Sequence, residues 1–157
     1  MYLGEKILAI IPARKNSKGL PGKNTKNFLG KPLFVHSIEH ALGSELIDDV
    51  VVTSDSSEIQ SISSKIGVQC VPRPDNLATD TSHTPDAIFH AMEWIKQKRG
   101  VEYNLIVMLQ PTSPLRNFQD IDGAIRMLED SKRRSIVSVC ETSCNLKYVN
   151  TPIAALR

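Results

Sequence analysis

A-I-I-P-A-R-K-N-S-K-G-L-P-G-K-N, residues 9–24, starts as an apolar run and turns within two residues into a loop carrying Arg14, Lys15, Lys18, Lys23 and two glycines, Gly19 and Gly22. Taken with the residues before it, Lys6 to Ile11 contains I-L-A-I-I, continuously apolar rather than alternating. That is the mark of a strand covered on both faces in a parallel sheet. Its exit into glycines and cations suits a strand that delivers its carboxyl end to an anion, because glycines admit backbone N–H groups to anionic oxygens and lysines neutralise them. A basic surface turn is the competing reading, since Pro21-Gly22 is a turn signal and exposed lysines are common. Four cations within ten residues beside a buried strand favour the anion site.

Two phosphate motifs fail on this stretch. A P-loop needs Gly, four residues, then Gly-Lys and a hydroxyl; here Ser17 stands at the first glycine and Asn24 at the hydroxyl. The dinucleotide fingerprint lacks its first glycine and meets Pro21 between Gly19 and Gly22.

Outward from the loop, strands alternate with helical periods. Pro32 opens a helix with Leu33, Phe34, Ile38, Ala41 and Leu42 at spacings of three and four, and Gly43 closes it. Val50 to Thr53 reads as a second buried strand. Asp55 with Glu58 has capping-box spacing ahead of the stripe Ile59, Ile62 and Ile66, and Asp55 also sits where open α/β sheets place ligands. Gly67 stops that helix and Val68 to Val71 gives a third strand. Thr84-Pro85-Asp86 reads as N-cap, first residue and first-turn acid of a helix striped by Ala87, Ile88, Ala91, Met92 and Ile95. Leu105 to Leu109 is a fourth strand, ending at Gln110 and the stiff Pro111-Thr-Ser-Pro114 turn, near which Arg116 is either a surface residue or a buttress. Asn117 caps a helix with Ile121, Ala124, Ile125 and Leu128, and Ile136 to Cys140 gives a fifth strand. The alternation predicts βαβ units in a three-layer α/β/α sandwich with a mostly parallel sheet, its ligand end at the carboxyl edge where the loops after strands one, three and four meet.

The first helix also spells His36-Ser37-Ile38-Glu39-His40, an H-x-x-E-H pattern. Nothing else in the sequence supports a protease, and histidines at i and i+4 are ordinary on a half-buried helix face. Cys140 and Cys144 lack the second pair that a structural zinc site needs, so with Cys70 they read as incidental thiols.

At 157 residues the chain suits one domain, 1–157, with 41% hydrophobic and 5% aromatic residues pointing to an aliphatic α/β core. A net charge of +2 is too small to imply a nucleic-acid or membrane partner. No leader and no apolar run near 18 residues is seen, and the expectation is a soluble, cytoplasmic protein.

The string I-P-A-R-x-x-S-K-G-L-P-G-K-N resembles the signature of the CMP-sialic acid synthetases, the acylneuraminate cytidylyltransferases. The likeness continues through Arg73-Pro74, Leu77-Ala78 and Asp80-Thr81, and through Leu109-Gln110-Pro111-Thr112-Ser113-Pro114-Leu115-Arg116. Kdo cytidylyltransferases resemble the same loop but carry Arg and Pro where this chain has Gly19 and Asn24, which favours the sialic acid branch. Legionaminic and pseudaminic acid enzymes share most of these residues.

The resemblance implies a Rossmann-like fold of the nucleotide-diphospho-sugar transferase type and a reaction with magnesium present: CMP passes from CTP to the anomeric hydroxyl of N-acetylneuraminic acid or a related nonulosonic acid, releasing pyrophosphate. It implies that Arg14 and Lys23 engage the triphosphate as the catalytic residues and that Asn24 is a nucleotide ligand. It also implies that Arg73, Ser82, Thr84 and the Ala13 backbone hold cytosine and ribose, that Gln110 contacts the sugar acid, and that Lys147 pairs with its carboxylate. Family members run further than Arg157, and the resemblance puts the Asp-x-Asp magnesium ligands and the segment exchanged in a homodimer in that further part. Asp120-Ile121-Asp122 has the Asp-x-Asp spacing, but its place at a helix start gives Asp120 a simpler role beside the helix dipole. Two other readings stay open: a module that holds CTP or CDP without turnover, and a nucleotidyltransferase for another sugar, such as a sugar 1-phosphate.

Overall fold

The computed structural model describes residues 2, 4–17 and 19–139. Four strands form one parallel sheet: β1 (Ile7–Pro12), β4 (Asp49–Ser54), β5 (Gln69–Pro72) and β6 (Leu105–Met108), in the order β5-β4-β1-β6. A two-stranded hairpin, β2 (Asn27–Phe28) and β3 (Lys31–Pro32), leads into α1 (Leu33–Leu42). The remaining helices are α2 (Ser57–Ile66), α3 (Thr84–Arg99) and α4 (Phe118–Ser131).

The register explains the apolar run. Ile10 pairs with Val51 on one side and Met108 on the other, so β1 lies between β4 and β6. Ile7, Ala9 and Ile11 face a core made with Phe34, Val35 and Ile38 of α1, Ile59 of α2, and Ile121 and Ile125 of α4. Leu8 and Ile10 face a second core built with Val51, Val71 and Ala91 and Ile95 of α3. Each fully buried Ile or Leu contributes about 1.5–3 kcal/mol of hydrophobic transfer energy. β1 is therefore the axis of the three-layer α/β/α sandwich, and its fixed direction delivers residues 13–17 and 19–26 to the carboxyl edge.

Three local expectations change. Ser56, not Asp55, caps α2: its hydroxyl accepts from Ile59 N, so the spacing of Asp55 and Glu58 makes no capping box there. His83, not Thr84, is the N-cap of α3, which places Thr84 inside the first turn. The expected fifth strand has no strand backbone over residues 136–139, where Val137 and Val139 are 78% and 71% exposed; the run is apolar but pairs with neither sheet edge among the described residues. Its last residue, Cys140, lies outside the described residues, as do Lys18, Cys144 and Lys147.

Other expectations hold in detail. Asn117 and Asp120 form a reciprocal capping box at α4, and Asp122 is buried where it accepts from the Ser44 hydroxyl and from Glu45 N, so both acids of the Asp-x-Asp have structural partners. In α1, His36 Nε2 donates to the Phe28 carbonyl at 2.7 Å and Glu39 pairs with Lys31. His36 and Glu39 of the H-x-x-E-H pattern thereby fasten the β2–β3 hairpin to α1. The hairpin was not visible in the sequence; its turn places Leu29 and Gly30 at φ of 49° and 89°, and only Gly30 carries a residue suited to that region.

Candidate functional site

Residues 13–17 and 19–26 leave β1 over the carboxyl edge of the sheet, and their path is set by a few bonds to neighbouring strands. Ala13 N donates to the Thr53 carbonyl at 3.0 Å and Lys15 N donates to Asp55 Oδ1 at 2.7 Å. Between them, the Arg14 carbonyl accepts from Asn24 Nδ2 at 2.9 Å. Gly22, at φ 63°, then turns the chain into a single 3-10 turn, Lys23–Thr25. Asn24 is buried, and Lys23 is half-buried with no ion pair among the described residues.

The loop after β5 supplies the opposite wall. Arg73 is 8% exposed, and its guanidinium donates from Nη2 to the Thr53 carbonyl at 2.8 Å and from Nε to Thr53 Oγ1 at 3.3 Å. Burial lowers its pKa, the Asp55 carboxylate opposes that shift, and the Arg14 cation adds to it. Two guanidiniums thus share one corner, the buried Arg73 beside Asp55 and the part-exposed Arg14 paired with Asp80. Arg14 Nη1 pairs with Asp80 Oδ1 at 2.9 Å and donates to the Thr79 carbonyl at 2.9 Å. Ser82 Oγ donates to the carbonyls of Leu77 and Thr79, which folds this loop onto itself.

The third wall follows β6. The Gln110 carbonyl accepts from Ser113 N at 3.3 Å, from Ser37 Oγ at 3.4 Å and from Arg116 Nη2 at 3.3 Å, so Arg116 buttresses the Pro-Thr-Ser-Pro turn. Burial lowers the pKa of Arg116, with Asp120 opposing. That arginine is half-buried beneath the turn.

These walls enclose a cavity of about 330 Å³ lined by Arg14, Lys23, Asn24, Arg73, Thr84 and Gln110 together with Ser17, Gly19 and Thr112. A smaller recess of about 130 Å³ adjoins it, sharing Arg14, Arg73 and Thr84 and adding Thr79, Asp80 and Ser82. Of the residues expected at the site, six line the larger cavity and Ser82 lines the recess. Ala13 is fully buried beside them with its N–H already bonded to Thr53. Lys147 lies outside the described residues. The sequence reading missed Asp80 as Arg14's partner, although it stands within the second block of the motif, and left Asp55 open between a cap and a site role. The signal for Asp55 was its position at the end of β4.

A cationic cavity over the carboxyl ends of a parallel sheet, formed by loops after β1, β5 and β6, lies where open α/β folds bind their ligands. The chain superposes on a solved CMP:2-keto-3-deoxy-manno-octonic acid synthetase complexed with CTP with a TM-score of 0.68 at 24% identity, over 81% of this chain and 48% of that one. The family model described as Cytidylyltransferase matches residues 8–152, and the chain belongs to that family. It is 38% identical over 139 residues to an N-acylneuraminate cytidylyltransferase of Escherichia coli O18:K1:H7, covering 88% of this chain and 32% of that protein. It is 39% identical over 140 residues to a CMP-N,N'-diacetyllegionaminic acid synthase of Legionella pneumophila, covering 88% of this chain and 59% of that protein. The chain thus spans from a third to three fifths of the length of these relatives. No helix among the described residues is long and apolar enough to cross a membrane.

Proposed function

We propose that the protein is a cytidylyltransferase that moves CMP from CTP to the anomeric hydroxyl of N-acetylneuraminic acid or a related nonulosonic acid and releases pyrophosphate. The observation that carries this reading is the convergence of Arg14, Lys23, Asn24, Arg73, Thr84 and Gln110, drawn from three loops, on one cavity of about 330 Å³. The relatives named for N-acylneuraminate and diacetyllegionaminic acid point the same way.

In this reading the anomeric oxygen bonds to the α-phosphorus while the bond to the bridging oxygen breaks. Pyrophosphate leaves, and the hydroxyl proton passes to solvent. Little covalent work falls to the protein, so positioning and stabilisation of charge on the phosphate oxygens carry the rate. Lys23, with no acidic partner among the described residues, and Arg14, whose Nη1 alone is tied to Thr79 and Asp80, are the triphosphate cations. Arg73 is fixed by Thr53 before any ligand arrives; with Ser82, Thr84 and the Ala13 backbone it holds cytosine and ribose. Gln110 presents its side chain to the sugar acid while its carbonyl is held by Ser37 and Arg116, and Lys147 takes the sugar carboxylate.

Magnesium dependence, a homodimer and a cytoplasmic setting belong to the same proposal. Among the described residues no group of acids, histidines and cysteines suits a metal, and the carboxylates of the two loops are engaged, Asp55 with Lys15 N and Asp80 with Arg14.

The test is pyrophosphate release by the whole protein from CTP with N-acetylneuraminic, legionaminic, pseudaminic or Kdo acid, paired with calorimetric CTP binding. Release with one nonulosonic acid is the expected result. Binding of CTP without release for any acid would replace the enzyme with a nucleotide-binding module, and release only with a sugar 1-phosphate would change the substrate class.

A further inference from the structure

We propose that Asp55 is a positioning residue for the triphosphate cations, setting the loop that carries Arg14 and Lys23 through its carboxylate bond to the Lys15 main chain. β4 ends beneath the cavity, and its last residues hold both neighbouring loops. The Thr53 carbonyl accepts from Ala13 N and Arg73 Nη2, the Ser54 carbonyl accepts from Arg73 N, and Asp55 Oδ1 accepts from Lys15 N. Arg14 therefore has the N–H of the residue before it and the N–H of the residue after it tied to β4 and its exit, and its own carbonyl tied to Asn24. Three successive residues are pinned, which fixes where the Arg14 side chain departs.

Asp55 is not the cap of α2, because the Ser56 hydroxyl holds that place. It is half-buried and lines neither cavity, and its negative charge close to Arg73 and the Arg14 loop opposes a polyphosphate, so its role there is other than ligand contact. Holding the main chain is that role. At 2.7 Å, with an ionised acceptor, the bond to Lys15 N belongs to the charge-assisted class, roughly twice as strong as a neutral one. The same carboxylate supports the charge of buried Arg73, so one side chain serves both walls.

The inference rests on the proposed nucleotide reading for CTP as a probe and for the turnover followed in the kinetics; tripolyphosphate binding and amide exchange are independent of it. The experiment uses the whole protein with Asp55→Asn, which keeps an acceptor oxygen in place but drops the charge, and Asp55→Glu, which keeps the charge but moves it by a methylene. Asp55→Ala removes both. Calorimetry with CTP and with inorganic tripolyphosphate is expected to give Asn within about threefold of wild type, and Glu and Ala weaker by about tenfold for both probes. Amide hydrogen exchange at Lys15 gives a readout free of ligand: slow in wild type and Asn, faster in Glu and Ala. Steady-state kinetics should place the Glu defect in KM for CTP, with melting temperatures close to wild type. Wild-type binding and exchange in the Glu and Ala variants, or a defect confined to Asn, would overturn the role. Tripolyphosphate binding with this variant order but no CTP binding would retain the role of Asp55 and remove the nucleotide reading.

Discussion

Arg73 and Lys23 line the same cavity and differ in almost everything else. Arg73 is 8% exposed, carries two side-chain bonds to Thr53, and has its main-chain N–H on Ser54. Lys23 sits half-buried on a single 3-10 turn with no ion pair among the described residues. One wall is finished by folding; the other keeps a charge in reserve. Recognition of a neutral base edge needs donors locked in place, whereas a polyphosphate needs charge that only the ligand neutralises.

The contrast between the two walls depends most on the reserved charges of Lys23 and Arg14. Lys23→Ala and Arg14→Ala are each expected to lower turnover by roughly 10²–10³, the scale of deleting one donor aimed at developing charge. Melting temperature should stay within a few degrees, because Lys23 makes no side-chain bond among the described residues and Arg14 makes only exposed ones, to Thr79 and Asp80. Unchanged turnover in either variant would remove the loop from the chemistry.

The anchored wall is tested through Cys70, which lies on β5 near Arg73. Burial pushes its thiol up to about 11, the nearby Arg73 cation only partly opposing. A raised pKa in an acid means that the folded state holds the proton more tightly, so stability falls as pH rises from the unfolded thiol's value, about 8.5, towards about 11. At pH 8 the thiolate fraction is about two orders of magnitude below that of a free thiol. Alkylation followed at Cys70 by peptide mass spectrometry should slow accordingly, and alkylation as fast as in the denatured chain would mean that this wall is wet.

Arg73→Ala should differ from Lys23→Ala in kind. Truncation takes away a buried, doubly bonded cation, so CTP binding is expected to weaken by about tenfold and melting to fall by several degrees together. A loss of binding at constant melting temperature would make Arg73 as uncommitted as Lys23.

How much of this was legible follows from the same contrast. β1 was plain because five consecutive apolar residues can be satisfied only by burial on both faces, and the basic loop was plain because nothing local explains four cations beside such a strand. Thr84 and Asp55 were misplaced by one position in the caps, since Ser56 and His83 compete for the same role and only backbone angles decide it. Ile136 to Cys140 read as a strand because apolarity is local, while strand formation needs a partner edge that the sequence does not name, and residues 136–139 carry no strand backbone. The Arg14–Asp80 pair spans 66 positions, and no spacing rule reaches that far.

That pair sets the smallest expected effect. Asp80 is 58% exposed and Arg14 24% exposed at the side chain, so their ion pair belongs to the surface class, worth about 0.2–1 kcal/mol. Asp80→Asn removes a negative charge from the recess, which favours a polyphosphate, while the Thr79 carbonyl still holds Arg14 Nη1 and prevents the side chain from drifting. The favourable term should win. Tripolyphosphate binding at low salt is expected to tighten, by less than about fivefold given that range of energies. The gain should vanish as ionic strength rises, since an exposed charge acts within a Debye length of about 10 Å at 0.1 M and only about 3 Å at 1 M. Weaker binding in Asp80→Asn at every salt concentration would show instead that Arg14 depends on Asp80 for its place, and the open wall would then be as built as the Arg73 side.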